Sequence, residues 1–274
     1  MNEYYETVSQ AFDQAAATYD DLYATNPIMA WMRRESLAVL AAAFPPGGLL
    51  LEIGCGTGEE ALALGRQGYR VAATDISPVM IERARAKDAG RSLVTWHVLA
   101  AGHLADLIQP YGTAAFDGAY ACMGALNCEP GGHQVAAALA DLLRPGALFV
   151  CSVMNRFCAW EIAWGLLHLR PDQAFRRLGK GWVRAGLASS QGSLAVPVRY
   201  YSPRGFARVY DPHFQVRTVR ALPVLLPPPY LASLVEQHPS LLGRLERAER
   251  RWRERWPLFM LGDHFLMVLQ RTGF

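Results

Sequence analysis

Hydrophobic positions along the chain change period near residue 49. Before it they keep helical spacing. Phe12, Ala15, Ala16 and Tyr19 stand at i, i+3, i+4 and i+7, one face of an amphipathic helix. Pro27 opens a second helical stretch through Trp31, Leu37, Leu40 and Phe44, which Pro45-Pro46-Gly47-Gly48 ends. From Leu49 onward the apolar residues come in short continuous runs, as in strands buried on both faces. These runs are Leu49–Ile53, Tyr69–Thr74, Leu93–Leu99, Phe116–Cys122 and Ala147–Val153. Helical stretches lie between them. Gly54-Cys55-Gly56-Thr57-Gly58 breaks the first run ahead of Glu59–Arg66. Ser77 and Pro78 suit the N-cap and first position of a helix running to about Lys87. Gln134–Leu143 is helical and stops at Arg144-Pro145-Gly146.

Such alternation predicts an α/β fold with a parallel sheet covered on both faces. Right-handed crossovers place the carboxyl ends of its strands on one edge, where ligands bind. Residues 154–213 break the alternation. They are rich in Trp, Arg and Tyr, with a helical stretch Cys158–Leu169, and read as a helical insertion over that edge. Phe214–Leu222 and Asp263–Gln270 read as two final strands, separated by Pro227-Pro228-Pro229 and an Arg-rich helix around 241–255. The expected architecture is doubly wound: a mostly parallel, seven-stranded sheet with an antiparallel last strand and the insertion before strand six. Its parts are an N-terminal helical cap (1–44), an α/β core (45–153), a substrate-covering insertion (154–213) and the final strands (214–274).

Composition supports a packed core: 51% of residues are hydrophobic and 19% charged. No apolar run reaches the roughly 18 residues that span a bilayer. The acidic start MNEYYETV is unlike a secretory signal. The five cysteines (55, 122, 128, 151 and 158) have neither CxxC spacing nor an even count, so a disulfide framework or metal site is not expected and a cytoplasmic location is. Charge is divided unevenly. Residues 1–150 carry 9 Lys and Arg against 16 Asp and Glu, a net of −7, whereas residues 151–274 carry 18 against 8, a net of +10. An acidic substrate, a phosphate or an anionic lipid surface would suit the second half, as would a solvated arginine face. Arg176, Arg177, Lys180 and Arg184 form its densest basic segment. No nucleic-acid-binding module accompanies these residues, so nucleic acid is not an expected partner. Nothing in the sequence sets the oligomeric state.

The chemistry concentrates at Glu52-Ile53-Gly54-Cys55-Gly56-Thr57-Gly58 and at Asp75. Glycine lets a ligand press against the backbone, and the following helix start offers free N–H groups. Asp75 ends the next strand, where a carboxylate can take both hydroxyls of a ribose. A dinucleotide site would place a third glycine at position 59, which here is Glu59 followed by Glu60. Two carboxylates at that turn oppose a pyrophosphate and suit a cationic cofactor.

These residues resemble the class I methyltransferases. Glu52–Gly58 looks like their first motif, and Asp75-Ile76-Ser77 with Met80 and Ala84 like their second. Phe116-Asp117-Gly118-Ala119 and Leu142-Leu143-Arg144-Pro145-Gly146-Ala147 resemble later ones, and Ala11–Ala16 with Tyr19-Asp20 resembles the cap of small-molecule members. The resemblance implies S-adenosylmethionine as cofactor and a small-molecule or lipid-like methyl acceptor. A non-catalytic S-adenosylmethionine-binding protein is the alternative, and an NAD(P)-dependent oxidoreductase a more remote one. It also implies roles. Gly54, Cys55 and Gly56 would line the methionine and ribose, with Glu52 near the amino end. Asp75 would hold the ribose, Ile76 would pack on adenine, Tyr19 would close over the methionine, and the Cys122 carbonyl would meet the ammonium. The family's usual adenine-binding acid falls at Ala101, so the backbone of Ala101 and Gly102, or His103, must substitute.

Methyl transfer mainly requires alignment and exclusion of water, with a base only where the acceptor must lose a proton. Topology brings Asp263, His264 and Asn127 near the reacting centre. His264 is the candidate base. Glu161 and Tyr200, with Tyr201, are candidate acceptor contacts from the insertion; for Glu161 the competing reading is an ion pair with a nearby arginine.

Overall fold

The computed structural model describes residues 2–88, 90, 93–179, 181–189 and 192–273. Three helices come first: α1 (Asn2–Ala15), α2 (Tyr19–Ala24) and α3 (Pro27–Ala43). Asn26 caps α3, its Oδ1 accepting from the Ile28 and Met29 amides at 3.0 Å, and Pro27 takes the first helical position. The alternating core follows: β1 (Leu49–Ile53), α4 (Glu59–Arg66), β2 (Arg70–Asp75), α5 (Pro78–Asp88), β3 (Val94–Val98), α6 (Ile108–Tyr111), β4 (Phe116–Ala121), α7 (Gly132–Leu142) and β5 (Leu143–Met154). Beyond it run α8 (Ala159–Leu167), α9 (Pro171–Ala174), β6 (Val183–Ser189), β7 (Gly192–Val198), α10 (Pro203–Tyr210), β8 (Phe214–Leu222), α11 (Ser233–Glu236), α12 (Pro239–Trp252) and β9 (His264–Arg271).

Seven strands form one sheet in the order β3-β2-β1-β4-β5-β9-β8. Pairs from β3 to β5 are parallel, and β9 runs antiparallel to both β5 and β8. The last strand is thus inserted between its neighbours, which brings its first residue, His264, beside Met154 at the carboxyl end of β5. Side chains alternate along each strand, so the sheet divides two apolar layers. Leu50, Val71, Tyr120 and Val150 face α3 and α4, whereas Leu51, Ala119, Phe149 and Leu269 face α7 and α10.

Two features depart from the expected insertion. It is not only helical, because β6 and β7 form an antiparallel hairpin. Leu187 and Val196 of that hairpin pack with Ala15 and the partly buried Phe12 and Tyr19, so it rests on the N-terminal cap. The cover also ends early. Phe206 and Tyr210 of α10 are buried in the second apolar layer with Phe149 and Phe214, which makes α10 the crossover helix that precedes β8. No helix among the described residues is long and apolar enough to cross a membrane.

Candidate active site

A cavity opens at the carboxyl ends of β1, β2, β4 and β5, roofed by α1, Tyr19 and the β6–β7 hairpin. Its floor is the bend after β1. The Cys55 amide donates to the Thr74 carbonyl at 2.9 Å and the Gly58 amide to the Cys55 carbonyl at 2.9 Å, which turns the chain tightly into α4. Gly54 sits at φ +70, and a Cβ there would come within 2.4 Å of the Ala125 Cβ. Gly54→Ala is therefore expected to destabilise the fold by about 2 kcal/mol or more, read as a fall in the urea unfolding midpoint; an unchanged midpoint would contradict this geometry.

Asp75 reaches the cavity from the end of β2. Its Oδ2 accepts from the Gly56 amide at 2.8 Å and its Oδ1 from the Ser77 amide at 2.9 Å. Burial pushes its carboxyl up to about 6, against the Ser77, Gly56 and Ile76 amides that favour the charged form. A carboxylate has about four acceptor sites, which leaves capacity for a further donor such as a ribose hydroxyl. Gly54, Cys55, Gly56, Ile76 and Cys122 line the same cavity, and the Tyr19 ring lies over Gly56. Ser77 caps α5 as its sequence implied, accepting from the Met80 amide at 3.0 Å. Two carboxylates latch the cap to these loops: Asp13 accepts from the Ser77 hydroxyl and Asp20 from the Thr57 hydroxyl.

Other expected residues stand elsewhere. Glu52 does not line the cavity. It shares the buried face of β1, and burial, then Glu60, pushes its carboxyl well above the usual range. Its Oε2 and the Tyr120 hydroxyl have no hydrogen-bond partner. Arg33 and Glu60, joined at 2.9 Å, line the cavity instead. Ala101 lines it, but Gly102 does not, because its amide donates to Glu129 Oε2 at 3.0 Å. His103 packs edge-on against Tyr5 rather than entering the site. Sequence reasoning missed Glu129. This cavity-lining acid also accepts from the Tyr5 hydroxyl at 2.8 Å and the Gly131 amide at 2.6 Å, which sets a carboxylate on the cavity wall that Ala101 also lines.

His264 lies behind the opposite wall. Its Nδ1 pairs with Asp263 Oδ2 at 2.8 Å, and its Nε2 comes within 3.4 Å of where a Gly124 Cβ would stand. Gly124 lines the cavity whereas His264 itself does not, so the imidazole stands one residue behind the wall. Burial would raise the Asp263 carboxyl, but Arg177 and His264 hold it well below the carboxylate range. Arg177 Nη2 meets Asp263 Oδ1 at 2.6 Å, and its Nε donates to Glu161 Oε2 at 3.0 Å.

Glu161 is not available to an acceptor. Arg176 donates to both its oxygens at 2.8 Å, and Tyr230 and Arg177 fill Oε2 at 2.9 and 3.0 Å. Three donors crowd Oε2, one meets Oε1, and Glu161 lines neither cavity, so the geometry is that of the ion pair. Tyr200 lines a separate cavity, with the Arg177 guanidinium 4.9 Å from its ring centre. Asn127 is fully buried, donating to the Met154 and Arg199 carbonyls and accepting from the Met154 amide. Lys180 lies outside the described residues.

A doubly wound sheet with a glycine bend, an acid one strand over and a roofed cleft defines a nucleoside-cofactor-binding protein. Comparison narrows this. The sequence model of a family described as a methyltransferase domain matches residues 51–151. The ubiquinone biosynthesis O-methyltransferase of Xanthomonas campestris pv. campestris (strain B100) is 33% identical over 161 residues, 58% of this chain and 62% of that protein. The malonyl-[acyl-carrier protein] O-methyltransferase of Serratia marcescens is 31% identical over 153 residues, 54% of this chain and 53% of that one. The match thus spans less than two thirds of either relative's length. Among solved structures, the CcbJ methyltransferase from Streptomyces caelestis superposes with a TM-score of 0.61 at 17% identity, covering 96% of this chain and 98% of that one. The [4+2]-cyclase SpnF superposes with a TM-score of 0.61 at 17% identity, covering 97% and 94%. Residues 51–151 thus match a methyltransferase domain, and the α/β core around them is similar to O-methyltransferases in sequence and to S-adenosylmethionine-dependent methyltransferases in fold.

Proposed function

We propose that the chain transfers a methyl group from S-adenosylmethionine to a hydroxyl of a small-molecule or lipid-like acceptor. The observation that carries this reading is the placement of Asp75 and the Gly54–Gly58 bend on one wall of a cavity and the Asp263–His264 pair behind the other. Asp75 holds the ribose diol. The Arg33–Glu60 pair offers one charge of each sign to a zwitterionic amino-acid end, and Glu129 Oε2 is placed to accept from an adenine amino group. Glu59 and Glu60 on the cavity wall disfavour a diphosphate cofactor. When bound, S-adenosylmethionine supplies a methyl group already activated by its sulfonium leaving group.

His264 accepts the acceptor's proton at Nε2. Asp263 fixes the tautomer that leaves Nε2 unprotonated and stabilises the imidazolium that follows. A base is needed for a hydroxyl and not for a carboxylate, so the pair favours a hydroxyl acceptor. The names of the sequence relatives, two kinds of O-methyltransferase, support transfer to oxygen, while the choice of a hydroxyl over a carboxylate rests on the Asp263–His264 pair. A cytoplasmic location fits the five free cysteines.

Calorimetric titration with S-adenosylhomocysteine and with NADH tests the cofactor. Binding of the first and not the second is expected, and the reverse would end this reading. His264→Gln is expected to lower kcat about 100-fold or more against a panel of phenols and catechols, with S-adenosylhomocysteine affinity within about twofold of the parent. Unchanged kcat would remove His264 from the reaction.

A further inference from the structure

A second cavity, of about 230 Å³, lies on the far side of the strip Val198–Tyr201 from the first. Val198 and Met154 line the donor cavity, whereas Arg199 and Arg156 line this one. Tyr200, Tyr201, Ser202 and Gly205 complete the relevant wall, and no acidic residue lines it among the described residues.

The two arginines, Arg156 partly buried and Arg199 exposed at the cavity mouth, lack the carboxylate partner that other arginines of the chain have. Arg33, Arg177 and Arg253 each meet a carboxylate within 3.0 Å. Neither Arg156 nor Arg199 has one within 4.0 Å among the described residues. Arg156 Nη2 donates to the Leu178 carbonyl at 2.7 Å, and its Nε is buried without a partner. The Arg199 guanidinium stands 5.2 Å from the Tyr201 ring centre, which holds its charge at the cavity. Two guanidiniums brought to one cavity repel, and an anion between them relieves that repulsion. The N-terminus of α10 adds the positive end of a helix dipole at Ser202 and Gly205.

We propose that this cavity is a second binding site, for a phosphate or diphosphate group. Two guanidiniums and the hydroxyl-bearing Tyr200, Tyr201 and Ser202 on one cavity wall supply more donors than a carboxylate can use, and a phosphate offers acceptors for them. The site accounts for part of the basic excess of the second half of the chain. It lies outside the donor cavity and stands or falls independently of the methyl-transfer reading. Asn127 connects the two, because its side chain binds the carbonyls of both Met154 and Arg199.

The full chain is titrated calorimetrically with inorganic diphosphate, inorganic phosphate, phenyl phosphate and malonate, each with S-adenosylhomocysteine titrated as a control. Diphosphate is expected to bind with a Kd of about 1 mM or tighter, more weakly at high salt. Arg199→Gln is expected to weaken it about tenfold or more and to leave S-adenosylhomocysteine affinity within about twofold. Phenyl phosphate binding more tightly than phosphate would mark the site as one for a phosphorylated organic molecule; equal binding would mark it as one for the free anion. Absence of binding to the parent protein at about 10 mM overturns the site. So does diphosphate affinity unchanged in both Arg199→Gln and Arg156→Gln. Malonate binding as tightly as diphosphate overturns the phosphate assignment.

Discussion

Asp75→Asn is expected to weaken S-adenosylhomocysteine binding by about 30-fold or more, a loss of two charge-assisted hydrogen bonds to the ribose. Asparagine keeps the shape but turns an NH2 group toward either the Gly56 or the Ser77 amide, where the parent has an acceptor for each. The pH dependence of the parent protein gives a second reading of the same group. Burial raises the Asp75 carboxyl from 3.8 to about 6. A raised carboxyl favours the folded state while protonated, so its contribution to stability is complete below 3.8 and is lost as pH rises through about 6. Keeping it ionised at neutrality costs the ligand-free fold on the order of 3 kcal/mol. In the proposed site the ribose is held by the carboxylate, and on that proposal affinity should fall about tenfold per pH unit below about 6 while this contribution to stability grows. Calorimetry between pH 5 and 8 reads both, and an affinity that stays flat down to pH 5 would detach Asp75 from the ribose.

Arg177→Met is expected to cost on the order of 3 kcal/mol of stability, measured by chemical denaturation. Methionine fills much the same volume, so the loss is electrostatic. Arg177 is 5% exposed and is shared by Asp263 and Glu161, themselves 5% and 6% exposed. Without it Asp263 retains only His264, while Glu161 retains Arg176 and Tyr230. Burial favours a protonated Asp263, and Arg177 is the first group that opposes this. The variant should therefore regain part of its deficit below about pH 4, where the acid can take up a proton. A deficit that is constant with pH would mean that lost packing dominates.

The α/β core was legible because its signals are local. The change of period at Leu49, the glycine bend and the cap at Ser77 each sit within a few residues, and the structure has all three. That the last strand is antiparallel and starts at the edge where the others end followed from topology, whereas its insertion between β5 and β8 had no sequence signal. The hairpin was not legible. Its buried residues Leu187, Val196 and Val198 alternate, but glycine and proline interrupt the pattern and its packing partner is a helix about 170 residues earlier. Glu129 carried no local mark either: its role depends on a loop that folds back toward Tyr5 and Gly102. Glu52 belongs to the motif, yet side-chain alternation turns it to the face shared by Leu50 and Tyr120. Glu161 could not be assigned from sequence because its arginines lie 15 and 16 residues on, across the turn through α9.

The latches between the cap and the nucleoside loops bear on how turnover is paced. Lys87 joins Asp20 at 2.8 Å and Glu59 at 2.7 Å, beside the bond from Thr57 to Asp20. On the proposed function, an exit for the spent nucleoside past Tyr19 would part half-exposed ions whose attraction dissolved salt screens. Release of the demethylated product should then quicken as ionic strength rises, while the tightness of an already closed complex declines with it.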